Sequence, residues 1–208
     1  MRSNTREWMI STAARLLQQR GYHGTSLNDI LTESRAPRGS LYFHFPGGKD
    51  ELVVEATRAT IGQTTSLLAD LLARAETPGR AVREFVEGAA EMLRRSNFAL
   101  GCPVAPIILD GADASEEIKQ VCREAFDAWI GLYRKAFAEA GLSPEGAETL
   151  ACSVEATIEG LLLIAKAYRD VTPMLRSAVE LEASVDAAIA AQAGDRAEPD
   201  GAARPAQP

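Results

Sequence analysis

The stretch Thr25 to Leu52, TSLNDILTESRAPRGSLYFHFPGGKDEL, constrains this chain more than any other. Leu27, Ile30, Leu31 and Ser34 recur at i, i+3, i+4 and i+7, which gives a short helix one inward stripe and leaves Asn28, Asp29 and Glu33 outside it. Thr25 and Ser26 are suited to cap its start, and Ser26 with Asp29 resembles a capping box with Asp in place of the commoner Glu. Arg35 and Ala36 form a turn. Pro37 is tolerated at a first helical position, so a second helix of about two turns is predicted from there to about His44. Its Leu41 and Phe45 face the core, and Arg38, Gly39, Ser40, Tyr42 and His44 point elsewhere. Two short helices joined by a tight turn, the second with donors near its N-terminus, have the geometry that enters a major groove.

An earlier helix is predicted to start at Asn4 or Thr5, carry Ile10, Ala13, Ala14 and Leu17 as its stripe, and stop at Gly21. It packs behind the two short helices, with Trp8 as a packing residue. Phe45-Pro46-Gly47-Gly48 is a sharp corner, after which Lys49 opens a long helix running through Leu52, Val53 and Ala56 to Leu71 and Leu72. Thr77-Pro78, Ser143-Pro144 and Thr172-Pro173 each place a hydroxyl before a proline, the start signal of a helix. Asn97 to Asp110 reads as a loop and a short helix, and Ser115 caps the next, with Ile118, Cys122, Phe126, Trp129, Tyr133 and Phe137 on its apolar face. The helix from Pro144 is apolar on much of its circumference between Gly160 and Ala165, which in a chain of this size predicts a second subunit. The predicted fold class is all-α: a helix-turn-helix head over residues 1–48, a helical body over 49–193 and a disordered tail over 194–208.

Charge is divided unevenly between these parts. Residues 1–58 hold eight Lys or Arg against six carboxylates, a balance of +2, so the rest carries −9 of a net −7. Contact with a polyanion is therefore expected at the head only. No apolar run is long enough to span a bilayer, Met1-Arg2-Ser3 leads into a helix rather than a signal peptide, and three cysteines without metal spacing fit a reducing compartment, so a cytoplasmic protein is expected. His23 and His44 lack partners at ligand spacing, so neither a metal nor another cofactor is expected. Pro46-Gly47-Gly48-Lys49 is not a P-loop, because Phe43 stands where the first glycine belongs and Asp50 replaces Ser or Thr. With no nucleophile motif either, an enzyme is not expected.

The run GYHGTSLNDILTESRAPRGSLYFHFPGGKDEL closely resembles the N-terminal DNA-binding domain of TetR-type transcriptional regulators, over about residues 5 to 58. The extra glycine in Phe45 to Lys49, the segment APRGS and a later GCPV resemble the LmrA/YxaF-like branch. The resemblance implies a homodimer on a double-stranded palindromic operator, released as a repressor by a small-molecule effector, with aromatic compounds a reasonable first panel. It implies base or phosphate contact by Arg38, close backbone approach at Gly39, and phosphate contacts by Thr25, Tyr42, His44 and Lys49, with Ser26 and Ser40 in the same face. The family usually has glycine where Arg35 stands; if the turn is left-handed, Arg35 is strained there and can recover some of the cost at a phosphate.

In the body, Phe85, Phe98, Phe126, Trp129 and Tyr133 are candidates to line a pocket, though such a stripe equally serves as core. Glu155 and Glu159 lie one turn apart on an otherwise apolar helix, where a cationic ligand, a basic group of another subunit, or solvent can meet them. The competing reading is a ligand-binding or metabolic helical protein whose helix-turn-helix is only scaffold.

Overall fold

The computed structural model describes residues 2–111 and 115–197, and side chains over 5–111 and 115–192. Every regular element among them is helical. The head consists of α1 (Arg2–Arg20), α2 (Leu27–Glu33), a 3-10 turn (Arg38–Ser40) and α3 (Leu41–His44). A long helix, α4 (Lys49–Arg74), about 39 Å at 1.5 Å per residue, leads from the head into the body. The body adds α5 (Pro78–Arg95), α6 (Ala105–Gly111), α7 (Glu116–Glu139), α8 (Pro144–Tyr168) and α9 (Thr172–Ala197).

The caps follow the sequence at most positions. Ser26 accepts from the Asp29 amide at 3.1 Å while the Asp29 carboxylate accepts from the Ser26 amide at 3.1 Å, a reciprocal capping box. Thr77, Ser115 and Ser143 accept from the amides of Arg80, Ile118 and Gly146, fixing the starts of α5, α7 and α8. At α9 the outcome differs: Thr172 is already helical, and the Asp170 carboxylate takes its amide at 2.9 Å. A carboxylate at this position is favoured by the partial positive charge of the helix N-terminus.

Three further expectations need correction. Helix α1 begins at Arg2, so Thr5 lies inside it rather than capping it; first-turn amides have no intrahelical partner in any case, which lets polar residues extend the helix backwards. Its buried line is Met9, Ala13, Leu16 and Leu17, rotated from the predicted stripe, and this puts Trp8 at 52% exposure instead of in the core. Pro37 is extended (φ −61°, ψ 138°) and stands before the helix; the next turn is 3-10, leaving only Leu41–His44 as α-helix. The Ser40 hydroxyl donates back to the Pro37 carbonyl at 2.6 Å, the competing local bond that a serine offers. Helix α9 runs to Ala197, past the predicted end near Ala193, and the remaining tail, 198–208, lies outside the described residues.

Head and body share a continuous core, with Leu41, Phe45, Leu52 and Val53 at the head end and Tyr133, Phe137, Val154 and Ala165 in the body. Helix α9 is tied across the body to α5: the Asp186 carboxylate accepts from the Thr77 hydroxyl at 2.8 Å and the Gly79 amide at 3.0 Å, and Arg83 pairs with Glu182 at 2.9 Å. Glycine is needed at Gly79, since a Cβ would stand 2.5 Å from the Glu182 carbonyl oxygen.

Candidate nucleic-acid interface and body cavity

Helix α2 ends in a Schellman turn. The Ala36 amide donates to the Leu31 carbonyl at 3.1 Å and the Arg35 amide to the Thr32 carbonyl at 3.2 Å, with Arg35 at φ +55°. Arginine thus occupies the left-handed position that suits glycine, and the turn keeps its regular hydrogen bonds despite the strain. It delivers an exposed face made of Arg35, Arg38, Gly39 and Tyr42, the last 65% exposed. Phe43, not singled out in the sequence, is 72% exposed beside it and meets His44 edge-on at 5.0 Å between ring centres. Its signal was available: with Leu41 and Phe45 inward, position 43 cannot also reach the core.

Three other arginines of the head are engaged. Arg6 pairs with Glu55, and Arg15 and Arg20 both pair with Glu33, whereas Arg35 and Arg38 make no ion pair among the described residues. Nothing lies within 4 Å of a Cβ added at Gly39, and its φ is not left-handed, so the folded chain itself does not require glycine there.

Two of the expected contact residues point inward. Thr25 is fully buried, its hydroxyl donating to the Gly21 carbonyl at 2.8 Å, and Ser26 rather than Thr25 caps α2. Lys49 folds back over Tyr22, with Nζ 3.9 Å from the ring centre and donating to the Tyr22 carbonyl at 2.7 Å. Burial holds its ammonium below the ordinary lysine value. Tyr22 is a junction of three elements, because its hydroxyl also donates to Asp50 at 2.6 Å and its amide to Asp110 of α6 at 2.9 Å. Burial and the Asp50 carboxylate push that phenol up to about 12. The His23 amide adds a second donor to Asp110 at 3.1 Å, and Gly21, at φ +72°, leaves the carboxylate room that a Cβ would fill.

The body holds a cavity of about 320 Å³ lined by residues of α1, α4, α5, α7, α8 and the segment leading into α6. Phe85, Trp129, Glu155 and Glu159 line it. Phe98, Phe126 and Tyr133 do not. Phe98 sits in the turn after α5 at φ +62° under the Arg169 guanidinium, Phe126 packs edge-on against Trp129 at 5.7 Å, and Tyr133 is fully buried and stacked on Phe137 at 5.9 Å. Periodicity places Phe126 and Tyr133 on the inner side of α7, and only packing decides which inner residues meet empty space. Sequence reasoning missed Gln18 of α1, Thr60, Thr64 and Leu68 of α4, Met92 of α5, and Gly101-Cys102-Pro103.

Burial raises the Glu155 carboxyl to about 8, with Glu159 adding to the effect, and burial raises Glu159 as well. Cys102 is buried, accepts from the Val104 and Ala105 amides, and has its thiol pushed far up by burial and by the neighbouring Glu159, so it is protonated and unreactive. No group of His, Cys, Asp and Glu suited to a metal ion occurs among the described residues, and no described helix is long and apolar enough to cross a membrane.

A helix-turn-helix head with an exposed basic and aromatic face, carried on a helical body with a ligand-sized cavity, defines a DNA-binding regulator. The pattern of bacterial regulatory proteins of the tetR family matches residues 9–56, and that of the LmrA/YxaF-like transcriptional regulator C-terminal domain matches residues 78–180. The chain belongs to the TetR family of helix-turn-helix transcriptional regulators, in its LmrA/YxaF-like branch. It is 33% identical to the HTH-type transcriptional regulator LmrA of Bacillus subtilis over 172 residues, 83% of this chain and 92% of that protein. A TetR regulator from Legionella pneumophila has the same fold at 22% identity, with a TM-score of 0.76 over 87% of this chain and 95% of that one. The TetR-family regulator CifR, solved as a cysteine mutant with a 26-bp double-strand operator DNA, aligns at 26% identity and a TM-score of 0.69, covering 88% of this chain and 94% of its own.

Proposed function

We propose that this chain acts in the cytoplasm as a homodimeric repressor that leaves a two-fold operator when a small organic molecule fills the body cavity. The observation that carries the reading is the exposed face of the 3-10 turn and α3: Arg38 without an ion pair among the described residues, Tyr42 and Phe43 largely exposed, and Gly39 with no structural need to be glycine. Arg38 reads a base edge or phosphate, Gly39 lets the backbone approach DNA, and Tyr42, His44, Ser26 and Ser40 position the head on the phosphates. Lys49 gives one ammonium hydrogen to the Tyr22 carbonyl and keeps two further donors for a phosphate, and Thr25 serves by shaping the turn.

Two heads must meet successive major grooves about 34–36 Å apart. A dimer face for this purpose is offered by Leu163, Ile164 and Tyr168 on α8, exposed at 70%, 43% and 75%, beside Val179 on α9 at 45%. Helix α6 supplies the route for release: its leading segment, Gly101 to Pro103, is cavity wall, and its Asp110 grips the amides of Tyr22 and His23 in the head. A ligand that displaces the wall tilts the head, and a coupling of about 1–3 kcal/mol is enough to lower operator affinity measurably.

The test is selection of duplexes from a random pool by the purified protein at two salt concentrations. An enriched two-fold palindrome with salt-steep affinity is expected; absence of enrichment would mean that the helix-turn-helix is only scaffold. On the selected duplex, Arg38→Ala should relax specificity, and Gly39→Ala should fold normally yet bind DNA at least tenfold more weakly.

A further inference from the structure

We infer that the body cavity is built for an organic cation, an aromatic amine or quaternary ammonium compound whose charge sits between Glu155 and Glu159. This deepens the ligand-release reading and rests on it. Glu155 is 6% exposed, faces the cavity, and has neither a hydrogen bond nor an ion pair among the described residues. Glu159, one turn on, lines the same wall, with the Cys102 thiol beside it. No Lys, Arg or His among the described residues lines the cavity. Lys166, two turns beyond Glu159, packs against Gly101 of the cavity wall without lining the cavity, and its ammonium donates to the Ala99 carbonyl at 3.2 Å.

Two carboxyls buried beside each other in a mainly apolar wall with no counter-charge at the site cost stability. An incoming cation supplies the missing charge. The cavity also offers the apolar and π surface that an organic cation needs: Trp129 and Phe85, with Leu68, Ile158 and Leu162. The Trp129 indole is held by its N–H donating to Thr65 at 3.2 Å, so its ring is fixed rather than free to collapse into the space.

Without ligand, the pair holds its protons more tightly than ordinary carboxyls do. The other titratable groups beside it, the Cys102 thiol and the Tyr133 phenol, are kept neutral by burial. Cation binding therefore releases proton from the glutamates to solvent, and an anion or a neutral isostere gains nothing from them.

The experiment uses the full-length protein without DNA and a matched pair of probes, benzyltrimethylammonium and its neutral isostere neopentylbenzene, titrated calorimetrically. The expected result is binding of the cation at least tenfold tighter than the isostere, with that preference lost in Glu155→Gln combined with Glu159→Gln. Thermal unfolding of the double variant reports that it is folded, and single variants give intermediate preferences. Equal affinity for the two probes, no binding of either, or a preference that survives the double variant would each overturn the inference. Operator affinity with and without the cation is measured separately by fluorescence anisotropy. Cation binding that leaves operator affinity unchanged retains the inference and removes the release mechanism; release by neutral compounds alone does the reverse.

Discussion

Arg35 holds a left-handed backbone (φ +55°) in the middle of the helix-turn-helix, an exposed side chain with no ion pair among the described residues to offset the strain. Arg35→Gly should therefore stabilise the free protein by about 1 kcal/mol in denaturant unfolding, the steric cost of that conformation for a residue with a Cβ. If operator affinity falls at the same time, the guanidinium reaches a phosphate in the complex; unchanged affinity would leave Arg35 as strain without a DNA role. Glu155 supplies a pH dependence of definite sign. Its carboxyl is raised from 4.5 to about 8 in the folded chain, so the native state holds a proton that the unfolded state has released. The stabilisation is complete below about pH 4.5 and is lost as the pH rises through about 8. The ligand-free protein should accordingly unfold more readily at pH 8.5 than at pH 6 through this group, and Glu155→Gln should flatten that slope in thermal melts.

Among the elements, α6 has the most consequence for its length. It is a short helix from Ala105 to Gly111, entered through Gly101-Cys102-Pro103, and it ends with a carboxylate on the α1–α2 turn. Asp110→Ala removes the acceptor of two head amides and should cost about 1–3 kcal/mol of stability. If α6 is the route of release, the same variant should keep direct ligand affinity while the ligand's effect on operator binding shrinks. Full release in Asp110→Ala would move the coupling to α4. Tyr22 holds this junction together, since its amide, carbonyl, hydroxyl and ring each have a partner on α4 or α6. Lys49 belongs to that junction too, and this explains why a residue read from the sequence as a phosphate clamp stands folded inward.

For the whole molecule, the proposed dimer makes a direct demand on α8. Leu163 is 70% exposed in the single chain, so Leu163→Asp should leave each subunit folded. Sedimentation should show the wild type as a dimer and the variant shifted toward monomer, with operator affinity lost in parallel because a lone head spans one half-site only. A wild-type monomer in solution would remove the dimer from the proposal.

Local signals fixed the local outcomes at this same scale. Hydroxyls before Pro78 and Pro144, the Ser26–Asp29 pair and the corner at Pro46-Gly47-Gly48 act over a few residues, so they are legible in order along the chain. The all-α class, the order of helices and the inward positions Leu41 and Phe45 follow from them. Family membership was legible for the same reason, because the residues that carry it are contiguous. The destinations of individual side chains were not. Trp8 and Met9 are neighbours in sequence, and only the packing of α1 against α4 makes Met9 core and leaves Trp8 exposed. Thr25 and Lys49 were assigned to DNA by position and turned inward by Gly21 and Tyr22, partners four and twenty-seven residues away. Of seven candidate pocket residues, the fold brought Phe85, Trp129, Glu155 and Glu159 to one space and used the others as filling. A helical period specifies which side of each helix is buried, whereas a cavity exists only where several buried sides fail to meet, and that is decided by the tertiary packing of all of them together.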